Sequence, residues 1–162
     1  RQAIADGAFS GARWEFQAIG GGGSLPELDL GGGHTLRPAP WQDYDGYARQ
    51  LREADILLCP MLSPHTSYPV LEMAASGGLV VTNTFASKTA ERLAAISGNI
   101  VASKPTVEGF TAALTEAATL VRTGRAAAAP PNLPTDWDHA LEPVTREMAR
   151  VFLAMTEASD LG

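Results

Sequence analysis

The stretch Ala54 to Thr84, ADILLCPMLSPHTSYPVLEMAASGGLVVTNT, limits what this chain can fold into more than any other. Ile56-Leu57-Leu58-Cys59 and Leu79-Val80-Val81 are short continuous apolar runs, the pattern of parallel strands buried on both faces. Between them the polar loop Ser63 to Tyr68 leads into a helix opening at Pro69, whose missing N–H and fixed φ suit a first helical position. In open sheets of parallel strands, ligands bind outside the C-terminal ends, and the loop leaves its strand at that end. A helix N-terminus placed there favours negative charge, through its spare N–H groups and its dipole. The spacing therefore predicts strand, loop, short helix and strand, with one carboxylate, Glu72, in a helix otherwise made of Val, Leu, Met and Ala.

That pattern is similar to the nucleotide-binding motif of retaining, GT-B-fold glycosyltransferases of family 4, in which a helix carries a glutamate among small residues. The matching context is Leu71-Glu72-Met73-Ala74-Ala75-Ser76-Gly77. The longer run from Met61 to Ala74, followed by Val81-Thr82-Asn83, resembles most the bacterial rhamnosyltransferases that build S-layer glycans and O-antigens. The resemblance covers Trp14 to Ala118, and more weakly the end of the chain.

The resemblance implies an α/β fold: a three-layer, Rossmann-like domain with a mostly parallel sheet, equivalent to most of the donor-binding C-terminal half of such an enzyme. It implies transfer of a sugar, rhamnose first, from a nucleotide diphosphate donor such as dTDP-rhamnose to a glycan or glycolipid acceptor, with retention at the anomeric carbon and no metal or other cofactor. Glu72 would accept hydrogen bonds from the ribose, and His65, Thr66, Ser67, Tyr68 and Val70 at the helix entrance would hold the diphosphate. Gly20 and Gly21 would face the same cleft from the first loop, and Leu36 or Trp41 would lie near the base. One departure is plain. A second glutamate, common eight positions before the first and contacting the sugar, is replaced here by Pro64. The family's basic residues on its first loop would lie at or before Arg1, and the acceptor side, with the catalytic residues, would belong to an N-terminal domain ahead of this chain.

The rest of the chain reads as the frame for that stretch. Its 162 residues suit one domain, and 12 Lys and Arg against 18 Asp and Glu, net charge -6, argue against a nucleic-acid partner. No apolar run reaches the ~18 residues of a membrane span, which leads to an expectation of a cytoplasmic protein, peripheral at most on the inner membrane face. The lone Cys59 sits in an apolar run and reads as core packing. Arg1 to Phe9 reads as a helix, Trp14 to Ile19 as a strand and His34 to Pro38 as a weaker one. The glycine runs Gly20 to Gly23 and Gly31 to Gly33 read as surface connections or as loops that let backbone approach a phosphate. Asp43 is set to cap a helix whose Tyr44, Tyr47, Ala48, Leu51 and Ala54 form an apolar stripe. Lys88, Glu91 and Arg92 read as the polar side of a short helix. Asn99 to Ala102 reads as a strand, and Thr106 as the cap of a long helix with Val107, Phe110, Leu114, Ala117 and Val121 inward. The expected organisation is a binding domain over 1–124 that lacks its first strand, a Pro/Ala linker over 125–135, and a last helix within 136–162 packed on the same domain.

Other chemistries are weaker. The triplets Asp43-Tyr44-Asp45 and Asp136-Trp137-Asp138 have the form of metal-binding carboxylates, yet each stands where an aspartate caps a helix or follows prolines. His34, His65 and His139 show no ligand spacing with the cysteine. A 2-epimerase acting on a nucleotide sugar, or a non-catalytic nucleotide-sugar-binding module, would use a similar cleft.

Overall fold

The computed structural model describes residues 1–20, 25–124, 131–134 and 136–159. The chain forms two compact units, Arg1–Pro131 and Asn132–Gly162. Most of the 125–135 linker lies outside the described residues, as does Gly21.

The first unit runs α1 (Gln2–Ala5), β1 (Phe16–Ala18), β2 (Leu28–Gly31), β3 (His34–Pro38), α2 (Tyr44–Glu53), β4 (Ile56–Leu58), α3 (Tyr68–Ala75), β5 (Leu79–Asn83), α4 (Ala90–Ile96), β6 (Ile100–Ser103) and α5 (Val107–Arg122). The second unit carries α6 (Trp137–Ser159), where Asp136 Oδ1 accepts the His139 N–H at 2.9 Å. Strands β4, β5 and β6 form a parallel sheet in that order. A second sheet has the order β1-β3-β2, with β1 parallel and β2 antiparallel to β3. This is the Rossmann-like α/β class that the resemblance implies, with β4 and β5 the parallel strands that the apolar runs predict.

The central strand β5 sets the layers. Successive side chains of a strand point to opposite faces, and both Val80 and Val81 are fully buried. Val80 joins Leu51, Val70, Met73, Ala74, Leu93 and Ile100 on the side of α2, α3 and α4. Val81 joins Ala113 and Ala117 of α5 on the other side. The helix–sheet approach is close because the residues are small. A Cβ at Gly78 would stand 2.1 Å from Met73 Cε and 3.1 Å from the Ala54 carbonyl oxygen, so glycine there is what lets α3 lay Met73 on the strand. Three helices begin as local chemistry dictates: Asp43 Oδ1 accepts the Gly46 N–H at 2.8 Å, Thr89 the Arg92 N–H at 3.3 Å, and Thr106 the Gly109 N–H at 3.0 Å.

Several expectations need correction. Strand β4 is not buried on both faces: it is an edge of its sheet, and Leu58 is 47% exposed. The N-terminal helix ends at Ala5, and Gly7, at φ +80°, turns the chain so that Ala8 and Phe9 reach a small core with Ala3 and Ala118 from outside the helix. Gly31 to Gly33 is an ordered turn rather than a loose connection. All three have positive φ (86°, 60° and 80°) and make the turn of a β2–β3 hairpin, with Asp29 Oδ1 accepting the Gly31 N–H at 2.8 Å. Val107 is 64% exposed in the first turn of α5, whereas Phe110, Leu114 and Ala117 of the expected stripe do pack inward, joined by Ala113 and Ala118.

Candidate functional site

The candidate site lies where the loops leave the C-terminal ends of β4 and β5. Helix α3 starts at Tyr68, one residue earlier than expected, with Pro69 in second place. Ser67 caps its N-terminus by position only, since its side chain makes no capping bond. The first bond into the helix runs from the Leu71 N–H to the Ser67 carbonyl at 3.4 Å. The N–H groups of Tyr68 and Val70 therefore precede the helical ladder, and Pro69 has none. His65 Nδ1 accepts the Ser67 N–H at 3.1 Å, which leaves the ring proton of a neutral His65 on its exposed Nε2. Thr66 is half-buried, Ser67 buried and Tyr68 exposed. The Val70 side chain is in the core, so Val70 offers the site only its backbone.

Glu72 stands one turn into α3, on the face of Tyr68 rather than that of Val70, Met73 and Ala74. It is half-buried, and its Oε2 accepts a hydrogen bond from the Tyr47 hydroxyl at 2.8 Å. Burial pushes the Tyr47 phenol well above the ordinary tyrosine value, and the bond to the Glu72 carboxylate adds to that. A carboxylate oriented by a phenol keeps acceptor capacity on its second oxygen, the geometry needed to receive a pair of hydroxyls. The α2 stripe places Tyr47 on the packed face, but nothing in its spacing names a partner 25 residues away. The one signal is general: an aromatic with a polar tip on an apolar face needs somewhere to put it.

The loop itself is gripped from β5. Buried Asn83 accepts the Met61 N–H on Oδ1 at 2.7 Å and donates from Nδ2 to the Met61 carbonyl at 3.1 Å and to the Thr84 carbonyl at 3.0 Å. Thr82 Oγ1 donates to the Cys59 carbonyl at 2.8 Å. Lys88 lies before α4 rather than on its polar face, and it is buried, with Nζ donating to the Met61 carbonyl at 3.0 Å. Among the described residues, the two non-glycine residues with positive φ are Ser67 at 82° and Ala86 at 47°. They sit in these two loops, where backbone strain is held by the surrounding bonds.

The other named residues are spread more widely. Gly20, at φ +82°, is exposed just past β1, and a Cβ there would meet nothing within 4 Å. Leu36 is in the middle of β3, paired with Phe16 on one side and Leu28 on the other. Trp41 is strongly exposed in the loop between β3 and α2. Asp43 and Asp136 are both engaged as acceptors of backbone N–H groups at helix starts. No helix among the described residues is long and apolar enough to cross a membrane.

The Rossmann-like α/β domain thus carries a phenol-held carboxylate and an open helix start at its strand ends, the edge at which open parallel sheets take their ligands. Residues 1–115 match the family model described as WsaF, C-terminal domain, and the chain belongs to that family. The family is glycosyltransferase-associated and fits the C-terminal domain of a GT-B fold. No curated protein matches the chain.

Proposed function

We propose that this chain is the donor-binding part of a retaining glycosyltransferase of the family 4 type, which moves a sugar, rhamnose first, from a nucleotide diphosphate such as dTDP to a bacterial glycan or glycolipid. The observation that carries the reading is the Tyr47–Glu72 pair, one turn inside a helix whose first N–H groups are uncommitted. Glu72 receives the ribose hydroxyls. The N–H groups at the start of α3 face the diphosphate, with His65, Thr66, Ser67 and Tyr68 around it. In transfer, the bond from the anomeric carbon to the diphosphate oxygen breaks and its electron pair leaves with the diphosphate, whose charge the α3 dipole stabilises. The acceptor hydroxyl forms the new bond and gives up its proton. A second domain carries the acceptor and the groups that handle that proton, in keeping with the family's description as a C-terminal domain. Placement on the inner membrane face would suit a glycolipid acceptor.

Calorimetry with dTDP, UDP and GDP and their sugars tests the reading, with sugar turnover followed with and without a rhamnose-containing acceptor. Binding is expected, with no transfer by this domain alone, because holding two reactants in register contributes about 7–11 kcal/mol that one domain cannot provide. Donor turnover without acceptor would point to an epimerase. Failure to bind any of the nucleotides would remove the reading.

A further inference from the structure

Lys88 is one of two lysines in the chain, the other being Lys104, and it is only 2% exposed. Its burial follows from a tight turn after β5: the Phe85 N–H donates to the Lys88 carbonyl at 3.0 Å and the Lys88 N–H to the Phe85 carbonyl at 2.9 Å, with Ala86 left-handed between them. The turn sends the side chain back along the strand end to the Met61 carbonyl. Buried ammonium groups are normally paired with an anion, because an uncompensated buried charge is costly. Among the described residues no carboxylate forms an ion pair with Lys88, and one carbonyl occupies one of its three N–H donors. Burial holds its pKa below the ordinary lysine value. The ammonium, without a carboxylate partner among the described residues, thus bridges the β5–α4 loop to Met61 in the loop that leads from β4 to α3.

We propose that Lys88 provides the fixed positive charge against which the diphosphate of a nucleotide ligand is held at the α3 entrance. This rests on the donor-binding reading and adds to it the cation which that site otherwise lacks. A helix start supplies only about half an elementary charge, whereas a diphosphate brings more than one negative charge. A shielded ammonium acts on such an anion far more strongly than a surface lysine does. The bond to Met61 keeps the ammonium at the loop, and the phosphate oxygens complete its set of acceptors.

The test compares a nucleoside diphosphate with its own nucleoside on the full chain, for dTDP, UDP and GDP. Lys88→Met is expected to weaken the diphosphate about 10- to 100-fold and to leave the nucleoside unchanged, with Lys88→Arg restoring most of the loss. Equal losses for both ligands would make Lys88 a purely structural residue, and unchanged diphosphate binding would overturn the proposal outright. A second measurement needs no variant. With lysine labelled at Cε, the diphosphate should shift the Lys88 resonance and leave that of Lys104 in place, while the nucleoside shifts neither. An unmoved Lys88 signal at saturation refutes the proposal even if Lys88→Met fails to fold. If the unaltered chain binds no diphosphate, both this inference and the donor-binding reading fall; if it binds and Lys88 is silent, only this inference does.

Discussion

Replacing Tyr47 with phenylalanine removes one oxygen and leaves the ring that packs against the core of α2, α3 and β5. The loss is therefore confined to the 2.8 Å bond to Glu72. Hydrogen bonds to charged groups contribute about 1.5–3 kcal/mol when shielded; both partners here are half-buried, which places Tyr47→Phe near the lower end, at about 1–1.5 kcal/mol. For a unit of this size that is a fall in Tm of roughly 3–6 °C. The pH dependence gives a second, independent check. The folded Tyr47 phenol titrates above its ordinary value because of burial and the Glu72 bond. Its contribution is whole below about pH 10, where the unfolded phenol also keeps its proton, and is lost as pH rises further, since the unfolded chain ionises first. Urea unfolding of both proteins from pH 7 to 11 should show a gap that is constant up to about pH 10 and then narrows. Lys88 shifts in the opposite direction, but it is present in both proteins and cancels in the difference. Equal stabilities at pH 7, or a gap that stays constant through pH 11, would refute the assignment of that hydrogen bond.

Glu72→Ala should weaken nucleotide-sugar binding by about 1.5–3 kcal/mol while the circular dichroism spectrum stays native, and unchanged affinity in calorimetry would remove Glu72 from the site. Ser67→Gly should raise stability by about 1 kcal/mol by relieving the left-handed φ of 82°, which thermal melts would detect; a lower Tm would mean the buried hydroxyl matters more than the strain. Gly78→Ala should cost about 1–3 kcal/mol, because the new methyl collides with Met73, and the double variant with Met73→Leu should recover part of it. Nucleotide binding should survive chelation, since a helix start and a buried ammonium can hold a diphosphate without a metal. Loss in EDTA with recovery in Mg²⁺ would return the Asp-x-Asp triplets to consideration.

Much of this architecture could be read from local pattern. The apolar runs located β4 and β5, periodicity located α2 and α5, and Asp43 and Thr106 cap helices where their side-chain chemistry suggested. The helix start at Ser67 to Val70 and its single carboxylate were also legible, because proline position, capping and helical spacing act over three or four residues. The β2–β3 hairpin was not. Three successive glycines permit a turn without specifying one, and only the pairing of Leu28 and Asp29 with Leu36 and Thr35 makes them a turn.

What the sequence determined by itself is the order of the elements other than β2, the layered α/β class and the presence of Glu72 beside an open helix start, all consequences of short-range sterics and of which residues leave water. What only the tertiary structure decided is how those groups are used. Tyr47 meets Glu72 across 25 residues and Lys88 meets Met61 across 27, and each contact exists because two elements pack side by side on one sheet. A lysine five residues past the end of a hydrophobic strand reads as solvated in any linear pattern. Whether its ammonium is instead buried without a counter-charge depends on a left-handed alanine in the turn before it and on the loop that closes over it, and neither can be seen until the chain has folded.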